Sequence, residues 1–339
     1  MEYSVAFIEG DGIGPEQAAA TKVVLTKLEE SQGLSLNLIP VEAGDRLFKD
    51  RGEALSKEGF QVIQESDCCL KGPVGKSAYD VIIRLRRDLD LYANIRPAKS
   101  LPRVPCVGSP KTDLVIVREN TEDLYCGLEW ADEHKATATR VITRKACQRI
   151  TKYAFELART RKKSVTAIHK SNVLKKTDGL FLQVCKEVSE SYPDVQFSDM
   201  LVDAAAMNLI RNPEDFDVIV TTNMFGDILS DEAAQVVGGL GLVPSANIGD
   251  DFALFEPVHG SAPDIAGRNS ANPISLILSA AMMLEWLGRE KNDPKTSESS
   301  RIIQRAVEQS LSSGKATVDL GGDLSTVEMG SVIAGYISK

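Results

Sequence analysis

The segment Phe225-Gly226-Asp227-Ile228-Leu229-Ser230-Asp231 sets two aspartates four residues apart, one helical turn and therefore one face. Carboxylates so placed repel unless a cation sits between them, and an all-oxygen pair suits Mg²⁺ or Mn²⁺. An acidic first turn complementing the helix dipole explains the same residues, and both readings stand. Arg86, Arg96 and Arg118 come from three elements and could converge on a dicarboxylate, because a guanidinium grips a carboxylate through a bidentate fork. The spacings Arg84/Asp88 and Arg86/Asp90 also fit a solvated, ion-paired helix face. Lys170 closes the apolar run Ser164 to His169; in a cleft beside other cations a lysine can act as a base, and at an open strand end it is merely solvated. Taken alone, Tyr125 is a packed aromatic and His259 a structural histidine. The turn-rich stretch Glu256 to Gly267 around His259 is long enough to be a functional loop.

These residues need a scaffold. The short apolar run Ser4 to Ile8 stops at Gly10-Asp11-Gly12-Ile13-Gly14, and Pro15-Glu16 then opens a helix. The glycine spacing is GxGxG rather than GxGxxG, so a tight turn explains it as well as a dinucleotide cradle does. Strand-then-helix units recur at Leu114 to Val117, Ser164 to Ile168, and Asp217 to Thr222 before a helix near Gly226. This alternation predicts an α/β fold with a largely parallel sheet, its chemistry gathered past the carboxyl ends of the strands. Lys291 to Ser300 reads as a polar loop between an apolar helix, Ile274 to Leu287, and an amphipathic one, Arg301 to Leu311. A chain of 339 residues predicts two domains. Acidic residues outnumber basic ones by 48 to 39, so neither nucleic acid nor an anionic membrane is the expected partner. The uncharged stretch Ala271 to Leu284 is too short to span a bilayer, and no secretory signal is expected at the amino terminus. Six cysteines without a CxxC pair and three scattered histidines predict reduced thiols in a cytoplasmic protein, with no zinc site.

Five segments together resemble the family of decarboxylating dehydrogenases that act on 3-isopropylmalate, isocitrate and homoisocitrate. They are Glu9-Gly10-Asp11-Gly12-Ile13-Gly14-Pro15-Glu16, Leu89-Asp90-Leu91-Tyr92-Ala93-Asn94-Ile95-Arg96-Pro97, Arg118-Glu119-Asn120-Thr121-Glu122, Asn223 to Asp231, and the His259 loop, in family order over nearly the whole chain. The likeness is strongest to the archaeal-type isopropylmalate branch, although Asn120-Thr121-Glu122 and Lys71-Gly72-Pro73 also look like the isocitrate and homoisocitrate branches. The resemblance implies an isopropylmalate dehydrogenase-like two-domain α/β fold with a shared central mixed sheet, not a Rossmann fold. Residues 1–98 plus 252–339 would form a cofactor-binding domain, and residues 99–251 a dimerisation domain with an arm near Trp130 to Val141. It implies a homodimer or dimer-based oligomer with shared active sites.

By motif position, the resemblance gives Arg86, Arg96 and Arg118 the substrate carboxylates. Asp227 and Asp231, with Asp203 from the partner subunit, would hold Mg²⁺ or Mn²⁺; the partner's Lys170 would be the base and Tyr125 the acid. His259, Gly260, Ala262, Asp264, Ile265 and Asn272 would carry the adenosine half of NAD. Ile82 and Ile83, with Val173 from the partner, would form an apolar wall facing the 3-substituent of a malate, favouring 3-isopropylmalate over homoisocitrate, isocitrate or D-malate. Since base, acid and metal ligands are all present, an enzyme is expected rather than a non-catalytic regulatory subunit. Asp123 stands where many relatives have glycine, and residue types give no reason for it.

Overall fold

Val5, Ala6, Phe7 and Ile8 are all buried, as a strand without polar alternation must be when both faces of its sheet are covered. The computed structural model describes residues 2–77 and 79–337. Ten strands form one mixed sheet: β1 (Glu2–Ile8), β2 (Ser35–Pro40), β3 (Cys68–Lys71), β4 (Ala93–Lys99), β5 (Asp113–Glu119), β8 (Ser164–His169), β9 (Gln196–Leu201), β10 (Val218–Thr221), β11 (Pro244–Ile248) and β12 (Ala253–Pro257). Their order is β2-β1-β3-β12-β11-β4-β5-β10-β8-β9. The outer strands pair in parallel, but β11 runs antiparallel to both β12 and β4, and β4 antiparallel to β5. The sheet is therefore largely parallel, as expected, with antiparallel pairing confined to its centre. A separate two-stranded ribbon, β6 (Glu129–Ala131) with β7 (Ala136–Ala138), lies at the expected arm.

Two local expectations need correction. The polar stretch Lys291 to Ser300 is mostly helix, because Asp293 accepts from the backbone of Lys295 and Thr296 and Pro294 takes the first turn of a helix running to Ser312. Thr296, Ser299 and Ser300, which made the segment look loop-like, are fully buried. The second concerns Arg84 to Asp90. Arg84 meets Asp88 at 3.5 Å as its spacing suggests, but Asp90 pairs instead with Arg149 at 2.7 Å, and Arg86 turns inward. The helix is short, Arg84–Asp88, and follows a π-turn at Tyr79–Ile83.

The glycine loop is a clamp. A Cβ on Gly10 would lie 2.0 Å from the Pro73 carbonyl oxygen, and one on Gly12 2.0 Å from that of Ser261. Asp11 N donates to Pro73 O at 2.8 Å and Ile13 N to Ser261 O at 2.9 Å. Its glycines allow the backbone to approach the two loops that frame the site, which accounts for the departure from a dinucleotide cradle.

Inward-turning Arg86 meets a buried ionic centre. Glu256 on β12 pairs with Lys71 at the end of β3 at 2.9 Å and with Arg86 at 3.4 Å, all three side chains being under a tenth exposed. Asn247 on β11 accepts from Arg86, Asn94 and Asn120 and donates to Glu256 at 2.8 Å. Desolvation opposes the Glu256 carboxylate, yet the charges of Lys71 and Arg86 outweigh it and hold the group at about 2 against an ordinary 4.5. A depressed carboxyl contributes stability above its unfolded value and loses it as pH falls from about 4.5 to about 2, here about 3 kcal/mol. Glu256→Gln, which strands two buried cations, should cost about 3–5 kcal/mol at neutral pH. The gap between wild type and variant should narrow on acidification through that window. Denaturant unfolding at both pH extremes checks this; a constant gap would show that the carboxylate is not what holds the three strands and Arg86 together.

Candidate active site

Helix Asn223–Val236 begins at Asn223 and carries no acid in its first turn, so the dipole account of Asp227 and Asp231 does not apply. Both carboxylates face arginines. Asp227 pairs with Arg118 and accepts from the Tyr125 hydroxyl, and Arg96 lies 3.6 Å from it. Asp231 meets Arg96 at 3.2 Å. The arginines are buried on β4, β5 and the short helix after the π-turn. Arg96 is held by Asn94 and Ser230, each at 2.7 Å, and Arg118 by Asn223 at 2.9 Å. Gly226 makes the last of these possible, because a Cβ there would stand 2.6 Å from the Arg118 side chain. Burial, then repulsion from Arg118, lowers Arg96 to about 10, and burial likewise lowers Arg86. Three desolvated guanidiniums so gathered suit a dianion, as the sequence suggested.

Beside them lies a cavity of about 320 Å³ lined by Ile82, Ile83, Arg86, Arg96, Lys71, Glu256, His259 and Gly260. It joins the residues expected to bind substrate to the start of the loop expected to bind the cofactor. Gln17 Nε2 lies 3.1 Å from His259 Nε2 and also donates to Asn272 O at 2.7 Å. With Nε2 accepting, His259 carries its proton on Nδ1, which donates to Gly260 O at 3.0 Å. Burial lowers the His259 pKa, so the ring stays neutral. Asn272 Nδ2 donates to Asp319 at 3.1 Å. Ala262, Asp264 and Ile265 are exposed on the loop.

Lys170, Asp203 and Val173 are not brought to this cluster. Lys170 Nζ bonds Asp203 at 2.5 Å, Val173 is 65% exposed, and among the described residues no hydrogen bond or ion pair joins them to Asp227 or Asp231. No group of three His, Cys, Asp or Glu side chains that could hold a metal occurs among the described residues of one chain. Asp227 and Asp231 nonetheless suit a hard cation: they share a face, and their side chains remain 38% and 57% exposed. All six cysteines are free. Residue types gave no site role to Glu256, Asn247 or Gln17; Lys71 had a signal only through Lys71-Gly72-Pro73.

The family model for isocitrate/isopropylmalate dehydrogenase matches residues 4–333. The 3-isopropylmalate dehydrogenase of Methanothermobacter thermautotrophicus is 50% identical over 98% of both chains, and the homoisocitrate dehydrogenase of Methanocaldococcus jannaschii 47% over 99% of this chain and 98% of its own. The crystal structure of isocitrate dehydrogenase from Methylococcus capsulatus superposes with a TM-score of 0.91 at 42% identity, covering 99% of this chain and all of that one. With a site of converging arginines and paired aspartates on a matching ten-stranded sheet, the chain belongs to the isocitrate/isopropylmalate dehydrogenase family.

Proposed function

We propose that the protein catalyses NAD-dependent, metal-assisted oxidative decarboxylation of 3-isopropylmalate to 2-oxoisocaproate, the dehydrogenase step of leucine biosynthesis, in the cytoplasm. Identities of 50% and 47% to relatives with different substrates do not decide the substrate. The cavity wall supports the apolar substrate. Ile82 and Ile83 line it, and the cations nearby are already engaged. Arg84 donates to Leu55 O at 2.9 Å, stacks 4.8 Å from the Phe60 ring centroid and pairs with Asp88; Lys71 is held by Glu256 and by Gly72 O at 2.8 Å. An isopropyl group against the isoleucines gains about 1.5–3 kcal/mol, whereas a carboxylate there is desolvated without a partner.

Arg86, Arg96 and Arg118 hold the malate carboxylates in this reading. The partner subunit's Lys170 takes the hydroxyl proton, and Tyr125 returns a proton to carbon once CO₂ has left. Asp227 and Asp231, with the partner's Asp203, hold Mg²⁺ or Mn²⁺. When bound, the nicotinamide accepts the hydride and the cation polarises the new carbonyl. Residues 1–98 with 252–339 form the cofactor half, and residues 99–251 the half that dimerises. Exposed Met207, Ile210, Met224 and Ile228 on the two helices from Val202 to Val236 supply an apolar face that supports a dimer.

Three outcomes follow. In an NADH-formation assay with Mg²⁺ or Mn²⁺, 3-isopropylmalate should exceed isocitrate and homoisocitrate in kcat/KM by at least about tenfold, near 1.4 kcal/mol. Ile83→Arg should erode that margin, and a wild-type preference for either longer acid would overturn the assignment. Exposed Asp264 suits ribose hydroxyls and repels a 2′-phosphate, so NAD should be preferred to NADP and Asp264→Lys should shrink the preference; equal use of both by wild type sinks it. Finally, Lys170→Met and Tyr125→Phe homodimers should be inactive and recover activity when mixed, because hybrids carry one complete site. Demonstrated exchange without recovery would rule out sharing.

A further inference from the structure

Asp123 is strained and wholly buried. Its φ is +72° and ψ −144°, a conformation natural to glycine, yet its side chain is 0% exposed and densely engaged. Oδ1 accepts from Leu124 N at 2.9 Å, opening the 3₁₀ turn Leu124–Cys126 that carries Tyr125. Oδ2 accepts from Met224 N at 3.1 Å, at the start of the helix bearing Asp227. Arg140 donates to the same carboxylate from Nε at 2.6 Å and from an η nitrogen at 3.1 Å.

Arg140 reaches further. One η nitrogen donates to Asp178 at 2.6 Å and the other to Thr222 Oγ1 at 2.7 Å, while its guanidinium lies 4.8 Å from the Phe225 ring centroid. Asp178, also 0% exposed, accepts from the backbone N–H of Lys170 at 2.6 Å. One guanidinium therefore ties the turn of Tyr125 to the loop of Lys170, and four of its five N–H donors are used in doing so.

We propose that Asp123, Arg140 and Asp178 form a buried brace that positions the proton donor Tyr125 and the base Lys170 jointly. The inference rests on the roles given to those two residues above. Because the Lys170 and Tyr125 of one chain serve different sites of the dimer, each brace acts on half of both. Among the described residues, these three make no hydrogen bond or ion pair with the arginines assigned to the substrate, although Asp123 and Arg140 also hold the start of the helix bearing Asp227. An effect on kcat at unchanged KM is what separates placement of the proton-transfer groups from a change in carboxylate binding. The Asp123 carboxylate anchors the loop through contacts that no glycine could make, which is what its strained backbone secures.

The test uses the hybrid dimers of Lys170→Met and Tyr125→Phe chains, whose single complete site draws Tyr125 from the first and Lys170 from the second. Arg140→Met is placed in one chain at a time. Each placement should lower kcat by at least about tenfold with KM for malate substrate and NAD within about threefold. An effect from only one placement would limit the brace to one group and overturn joint positioning, as would a rise in KM at unchanged kcat. Failure of unmodified hybrids to recover, with exchange demonstrated, refutes the shared site and not the brace.

Arg140→Met alone leaves two buried carboxylates unpaired and endangers folding. The neutral triple variant Asp123→Asn/Arg140→Met/Asp178→Asn removes the charges together and tests the brace in a plain homodimer. It should melt near wild type and still lose kcat by about tenfold or more. Arg140→Lys, which keeps the charge but cannot fork between two carboxylates, should restore folding without restoring kcat. Wild-type turnover in a folded triple variant would refute the proposal.

Discussion

Three guanidiniums share one desolvated space, and most of the remaining site follows from making that tolerable. A buried arginine keeps its charge only where carboxylates and amide oxygens replace water. Arg118 is opposed by Asp227, Arg96 by Asp227 and Asp231, and Arg86 by Glu256. The aspartates suited to a metal thus also neutralise the anion receptor, while Glu256 ties Arg86 to a strand from the far end of the chain. Burial, then the neighbouring Arg118, nevertheless lowers Arg96 to about 10. In the proposed function, a dicarboxylate substrate would add negative charge at these arginines.

Neutral groups then fix geometry where further charge would upset the balance. Asn247 gathers Arg86, Asn94 and Asn120 onto one carbonyl oxygen, which ties the arginine on the short helix to the strand bearing Arg96. Gly226 serves by having no side chain, leaving the channel through which Arg118 crosses the helix. Gln17 does the corresponding work at the His259 loop, where it selects the tautomer of His259 and holds the Asn272 backbone. Each is a short contact between segments distant in sequence.

That distance explains what could be read from residue types. The Asp227/Asp231 pair was visible because its spacing is local, and the three arginines because each ends or adjoins an apolar run. Arg86 was ambiguous: i,i+4 spacing offered Asp90 as its partner, and only the sheet order reveals Glu256, 170 residues away. Lys291 to Ser300 misled for a related reason, since serines buried against a neighbouring helix are indistinguishable from serines in water until the packing is known. Asp123 had no local logic at all. Its partners Arg140 and Asp178 lie 17 and 55 positions onward, and the brace exists only once β5, the arm and the helix after β8 are assembled.

The same assembly bears on substrate choice. A receptor rich in arginine attracts any polyanion, so discrimination has to come from the one wall that carries no free charge. Lys71 lines the cavity and Arg84 follows Ile83 in the chain, and each is tied to protein oxygens rather than left free. Releasing either toward a ligand would break an ion pair, one of them buried, before any gain from the new contact. In the proposed function, Ile82 and Ile83 would set specificity less by attracting an alkyl group, worth a few kcal/mol at most, than by facing a carboxylate with no partner it can reach cheaply.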